Sequence, residues 1–157
     1  MNNQIEALKK QAFELQRDEL HQISSALAPG VAFYLLQQGN TTAQKVAAES
    51  ARIADRLHSR LSLGDDRPQL YAVDPQQTDK GPDKEKPFRD WSAAEIAKAS
   101  ENVRRRSVAI YKTAPQILGA LLMGEDRPLT DELIDKHAQF AAVAAEQTFV
   151  KTEEIEL

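Results

Sequence analysis

Apolar residues recur along this chain at intervals of three and four, in segments separated by proline, glycine and charge. In the first segment Ile5, Leu8, Ala12 and Leu15 follow 3-4-3 spacing, and after a slip Leu20, Ile23 and Leu27 carry the face onward. This is the period of a helix and not the alternation of a strand, so a helix is expected from about Asn3 to Ala28. Gln16 and Glu19 fall inside the apolar arc, which makes burial there partial. Pro29-Gly30 reads as a stop. A short apolar helix from Val31 to Leu36 follows, too apolar to sit outside, and Gly39 closes it.

Thr41 or Thr42 is placed to cap the next helix, which runs to about Leu63 with Val46, Ser50, Ile53, Leu57 and Leu61 on one face. Gly64 would end it. Between Asp65 and Asp90 the pattern breaks: Pro68, Pro75, Pro82, Pro87 and dense charge surround one apolar island, Leu70 to Val73. A structureless stretch of this length is uncommon inside a compact domain, so it reads as a linker or as a loop for recognition or tethering. Phe88 and Trp91 look like anchors at its end.

Ser92-Ala93-Ala94-Glu95 has the form of a capping box. The helix after it carries Ile96, Ala99, Val103, Ser107 and Ile110 on one face, and Thr113-Ala114-Pro115 interrupts it. Another short apolar run, Ile117 to Met123, ends at Gly124. Thr130 caps a last helix, with Asp131 and Glu132 where the helix dipole favours acids and Leu133, His137, Phe140, Ala141 and Ala144 inward. The segment 151–157 is an acidic tail.

The two halves echo each other. Each has a long helix ending in Ala-Pro (Ala28-Pro29, Ala114-Pro115), a short apolar run with Leu-Leu (Leu35-Leu36, Leu121-Leu122), a glycine (Gly39, Gly124), and a threonine (Thr41, Thr130) that opens another long helix. The expected fold is therefore all-α. It is a single domain over 1–157, a bundle of about six helices in two long–short–long halves (3–63 and 92–150) joined by a charged, proline-rich loop at 64–91.

Composition reinforces the fold and narrows the chemistry. Of 157 residues 23 are alanine, the best helix former. That leaves 42 larger apolar side chains, enough for one modest core whose halves need each other and a second copy. The absence of cysteine removes disulfides, thiolate metal sites and a cysteine nucleophile. The first residues, Met1 to Glu6, have neither the basic start nor the apolar core of a secretion signal, so a cytoplasmic protein is expected. No membrane span is legible. The net charge of −4 argues against a protein dominated by phosphate neutralisation. No nucleophile elbow, phosphate-binding loop, dinucleotide fingerprint or zinc helix is present.

The remaining candidates are basic stripes and scattered aromatics. Arg52, Arg56 and Arg60 form one ridge of the third helix, suited to phosphates or to an acidic partner. Arg104, Arg105 and Arg106 fan over about 200° and cannot form one clamp. Arg105 points outward in line with Lys98 and Lys112. No aromatics are interleaved for base stacking. His21 should face solvent, His58 lies at the edge of an apolar face, and His137 lies near the middle of one with no second histidine at metal spacing. Asp65-Asp66 and Glu125-Asp126 read as solvated turns and do not fit a calcium loop. No cofactor and no metal are expected.

These features lead to a non-enzymatic helical protein that binds another protein and forms a homo-oligomer. Its first helix, about 39 Å long at 1.5 Å per residue, would be the dimerisation arm. Small helical proteins of this kind are common among accessory proteins of phages and mobile elements, which sets the expected context. The alternatives are a nucleic-acid-binding regulator using the basic stripes, and a small-ligand binder with a pocket between the halves near His137, Tyr34 and Tyr111.

Overall fold

Each stretch of helical period becomes a helix, but the two prolines do not divide them. The computed structural model describes residues 2–63, 90 and 92–156. Among these are four α-helices and no strand: α1 (Asn2–Gln38), α2 (Ala43–Leu63), α3 (Ala93–Met123) and α4 (Asp131–Glu153). The chain is all-α, as expected, with four helices in place of six. Pro29 lies inside α1 and Pro115 inside α3. A helical proline removes one backbone bond and crowds the preceding turn, at a cost of about 3 kcal/mol. Packing on both sides outweighs that here. Ile23 and Leu27 before Pro29, and Val31 and Leu35 after it, are all buried in the same core. Ending the helix at Ala28 would take the second pair off that face. Pro29 itself is exposed, so its ring displaces nothing.

The caps are as the sequence reads. Ser92 and Glu95 form the reciprocal capping box, and the Leu133 N–H donates to the Thr130 hydroxyl at 3.2 Å. Of the two threonines before α2, it is Thr42 that caps, accepting from the Lys45 N–H at 3.2 Å. Gly39, at φ +139°, adopts the backbone that lets the chain leave α1. Gly64, the loop 64–89 and the anchors Phe88 and Trp91 lie outside the described residues.

The helices form two hairpins. Glu19 of α1 meets His58 of α2, and Arg105 and Arg106 of α3 meet Glu153 and Glu146 of α4. Across the hairpins α1 runs parallel to α3, with Leu15, Glu19 and Gln22 level with Arg104, Val108 and Tyr111, and Gly30 against Gly119. α2 runs parallel to α4, Arg52 level with Asp131 and Arg56 with Asp135. The burial pattern repeats accordingly. Ile23, Leu27, Val31 and Leu35 recur 87 residues later as Ile110, Ala114, Leu118 and Leu122. Ser50, Ile53, Ala54 and Leu57 recur 88 residues later as Ala138, Ala141, Ala142 and Ala145. The echo between halves is thus one of buried positions on two helix hairpins, and the apolar runs 31–36 and 117–123 are the last turns of α1 and α3.

The tightest point is where α1 crosses α3. A Cβ built on Gly30 would press into the Gly119 carbonyl oxygen and lie 2.6 Å from its Cα. Only glycine at position 30 permits this approach. Among the described residues no helix is long and apolar enough to cross a membrane.

Candidate interaction surface

α1 is longer than the body it belongs to. From Asn2 to Asp18 every residue is exposed, and burial begins at Glu19. Ile5 is 52% exposed, Leu8 64% and Leu15 61%. With Ala12 they make one stripe, and the same 3-4 spacing continues it to Glu19 and Gln22. The face that enters the core, Leu20, Ile23 and Leu27, is one residue out of step, about 100° around the helix. The slip in the sequence therefore has a structural meaning. The apolar stripe of the arm turns away from the core, toward a cleft between α1 and α3.

That cleft has a volume of about 600 Å³ and is lined by Leu15, Glu19 and Gln22 of α1 and by Arg104, Ser107, Val108 and Tyr111 of α3. A chain of polar groups behind it fixes two of these side chains. The His58 Nε2 lies 2.8 Å from a Glu19 carboxylate oxygen, Ser62 Oγ lies 3.4 Å from His58 Nδ1, and Ser62 Oγ lies 3.0 Å from the Tyr111 hydroxyl. A carboxylate only accepts, so His58 Nε2–H donates to Glu19, and the Ser62 hydroxyl bridges His58 Nδ1 and the Tyr111 hydroxyl. The Tyr111 ring meets the His58 ring edge-on at 6.0 Å. Acid, histidine and serine stand in the order of a hydrolase triad, yet Ser62 is inside α2. Among the described residues, the backbone amides beside it are spent in helix bonds.

A second polar cluster sits at the opposite end. Tyr34 donates to the Arg127 carbonyl at 2.7 Å. The Glu125 side chain is only 6% exposed, bonded by Arg127 Nε and by His137 Nε2, each at 2.7 Å. This corrects the reading of Glu125-Asp126 as a solvated turn. The Arg127 guanidinium, then His137, hold the Glu125 carboxyl far below the usual carboxylate range. Burial pushes the Tyr34 hydroxyl up. These contacts latch the α3–α4 connection onto α1. His137 and Tyr34 therefore share one end of the bundle, whereas Tyr111 lines the cleft at the other.

The basic stripes have acidic partners. Arg52 donates to Asp131 at 2.7 Å and to the Leu129 carbonyl at 3.1 Å, and Arg56 grips Asp135 with two bonds of 2.8 and 2.6 Å. Asp135 is held low by Arg56. Arg60, half-buried on the same ridge, is engaged as well. The ridge clasps α2 to α4. On α3 the three arginines diverge as their spacing requires, Arg104 to Glu101, Arg105 to Glu153 and Arg106 to Glu146. Arg105 thus reaches across to α4, leaving Lys98 and Lys112 as exposed members of its stripe. Among the described residues no group of three metal-binding side chains occurs. The i, i+4 match of Asp131–Asp135 to Arg52–Arg56 was the signal in the sequence for the clasp.

Compared with protein-family models, with curated proteins and with solved structures, the chain matches none. Its function is read from this geometry.

Proposed function

We propose that this chain is a non-enzymatic, cytoplasmic helical interaction protein that self-associates through the apolar face of the α1 arm. The observation that carries the reading is that Ile5, Leu8 and Leu15 share one helix face and each exposes more than half its surface. A contiguous apolar stripe that no other described residue covers marks a protein-binding surface. Phe33 and Leu36, exposed at the other end of α1, offer a second surface for a different protein, as an adaptor of the accessory kind requires. The nucleic-acid reading has less support, because Arg52, Arg56 and Arg105 are engaged by Asp131, Asp135 and Glu153.

Light scattering on the full chain across a concentration series tests this. The mass should rise toward twice 17.5 kDa. Leu8→Asp should return it to a monomer and, at concentrations where the wild type is also monomeric, leave the melting temperature unchanged, since Leu8 is exposed in the protomer. A mass of one chain at every concentration would sink the reading.

A further inference from the structure

We propose that the cleft between α1 and α3 seats the α1 of a second copy of this chain, the two α1 helices running antiparallel so that each sends its first turn into the other's cleft. This rests on the self-association reading above and adds to it the occupant, the direction and the register.

Stripe and cleft are one surface, because Leu15 belongs to both and Glu19 and Gln22 continue the stripe along the cleft wall. The direction follows from what flanks α1. From Glu19 onward α1 is accompanied by α2 and α3. A parallel copy lying on the stripe would bring its own α2 and α3 to the level where this protomer's α3 already forms the other wall. An antiparallel copy brings only slender first turns to the cleft and keeps its body beyond Asn2. Size agrees. One turn of helix, 5.4 Å long and 10–12 Å across, fills about 420–610 Å³, and the cleft is about 600 Å³.

In the antiparallel pair the apolar residues interleave when Ile5 faces Leu15 of the copy and Leu8 faces Ala12, each layer recurring through the two-fold axis. The copy's Ile5 then lies at the cleft mouth, level with Leu15 and Arg104 and one turn from Val108, which is itself 55% exposed. The arm offers a face about 25 Å long and the cleft wall one about 10 Å long, each about 10 Å wide. Together they bury about 350 Å² per protomer, below the roughly 600 Å² per partner of tight specific complexes. The dimer is a weak and reversible one.

The chain has no cysteine, so introduced thiols report unambiguously. Ile5→Cys and Leu15→Cys chains, one enlarged by a tag, are oxidised separately and mixed; oxidation traps even a minority dimer. The mixture alone should yield the cross-linked dimer. Like residues of an antiparallel pair stand about 15 Å apart, beyond the roughly 7 Å that a disulfide spans. If each variant cross-links to itself, the pair is parallel and the inference fails while self-association stands. A dimer seen by light scattering with no cross-link in any combination places the contact elsewhere and overturns the inference alone. A monomer throughout overturns both. Val108→Asp, at an exposed site that leaves the bundle intact, should raise the dimer Kd at least tenfold. An unchanged Kd would remove the cleft from the interface.

Discussion

Glu125 shows how one side chain can hold a connection in place. It accepts from the Arg127 backbone N–H at 3.1 Å, from the Arg127 guanidinium, and from His137 on α4. Glu125→Gln keeps the shape and removes the anionic acceptor, so Arg127 and His137 lose a charged partner. Bonds to charged groups contribute about 1.5–3 kcal/mol each; a loss of about 2 kcal/mol in urea unfolding at pH 7 is the expected outcome. The pH dependence has a definite sign. The folded Glu125 carboxyl titrates below its ordinary value of 4.5, so its contribution is complete above that value and declines as pH falls toward the folded value. The stability gap between wild type and Glu125→Gln should shrink as pH falls below about 4.5. A gap that persists unchanged at pH 3 would exclude this linkage.

At the scale of the element, α1 and α3 depend on a close approach at one glycine and tolerate change at its neighbour. Alanine normally improves a helix interior by about 1 kcal/mol over glycine. Gly30→Ala should reverse that sign, because its Cβ meets backbone that cannot rotate away; overpacking of this kind costs about 1–3 kcal/mol. Gly119→Ala has ordinary room, its nearest neighbour being the Ala26 carbonyl oxygen at 3.6 Å, and should gain stability. Chemical denaturation of both variants checks the opposite signs, and equal signs would show that the crossing does not restrict them. The same contact explains what the sequence could and could not disclose. The stripe of Ile5, Leu8, Ala12 and Leu15, the Ser92–Glu95 box and the Thr130 cap are local patterns, and they are found where they were expected. Pro29-Gly30 has the local form of a stop, yet Gly30 is needed by Gly119, a residue far away in sequence. The prolines mislead because core burial by Val31 and Leu35 is a long-range effect that outweighs a local one. The Arg52–Arg56 ridge was visible as a ridge, but its destination on α4 depends on how two hairpins meet.

At the scale of the whole molecule, the arm and the body differ in what stabilises them. Residues 19–38 of α1 are flanked by α2 and α3, whereas residues 2–18 are exposed on all sides. The packed part supplies the nucleus, so extending the helix outward incurs no second nucleation cost. Each added residue nevertheless gains little in water, where propagation is close to neutral, and the open end frays. A second copy lying on Ile5, Leu8 and Leu15 would change that balance for these turns and leave the core of the body untouched. Amide exchange by local opening should therefore depend on protein concentration in one place only. Between a dilute sample below the dimer Kd and one a hundredfold more concentrated, residues 5–15 should exchange about tenfold more slowly, following the dimer fraction. Amides from Ile23 to Leu35 that open by local fluctuation should exchange at the same rate in both, while those that open only on global unfolding should slow with the dimer fraction. Slowing of the locally opening amides across all four helices would mean that association tightens the whole body. Equal rates at 5–15 in both samples would mean that no copy covers the arm, and the apolar stripe would then need a different partner.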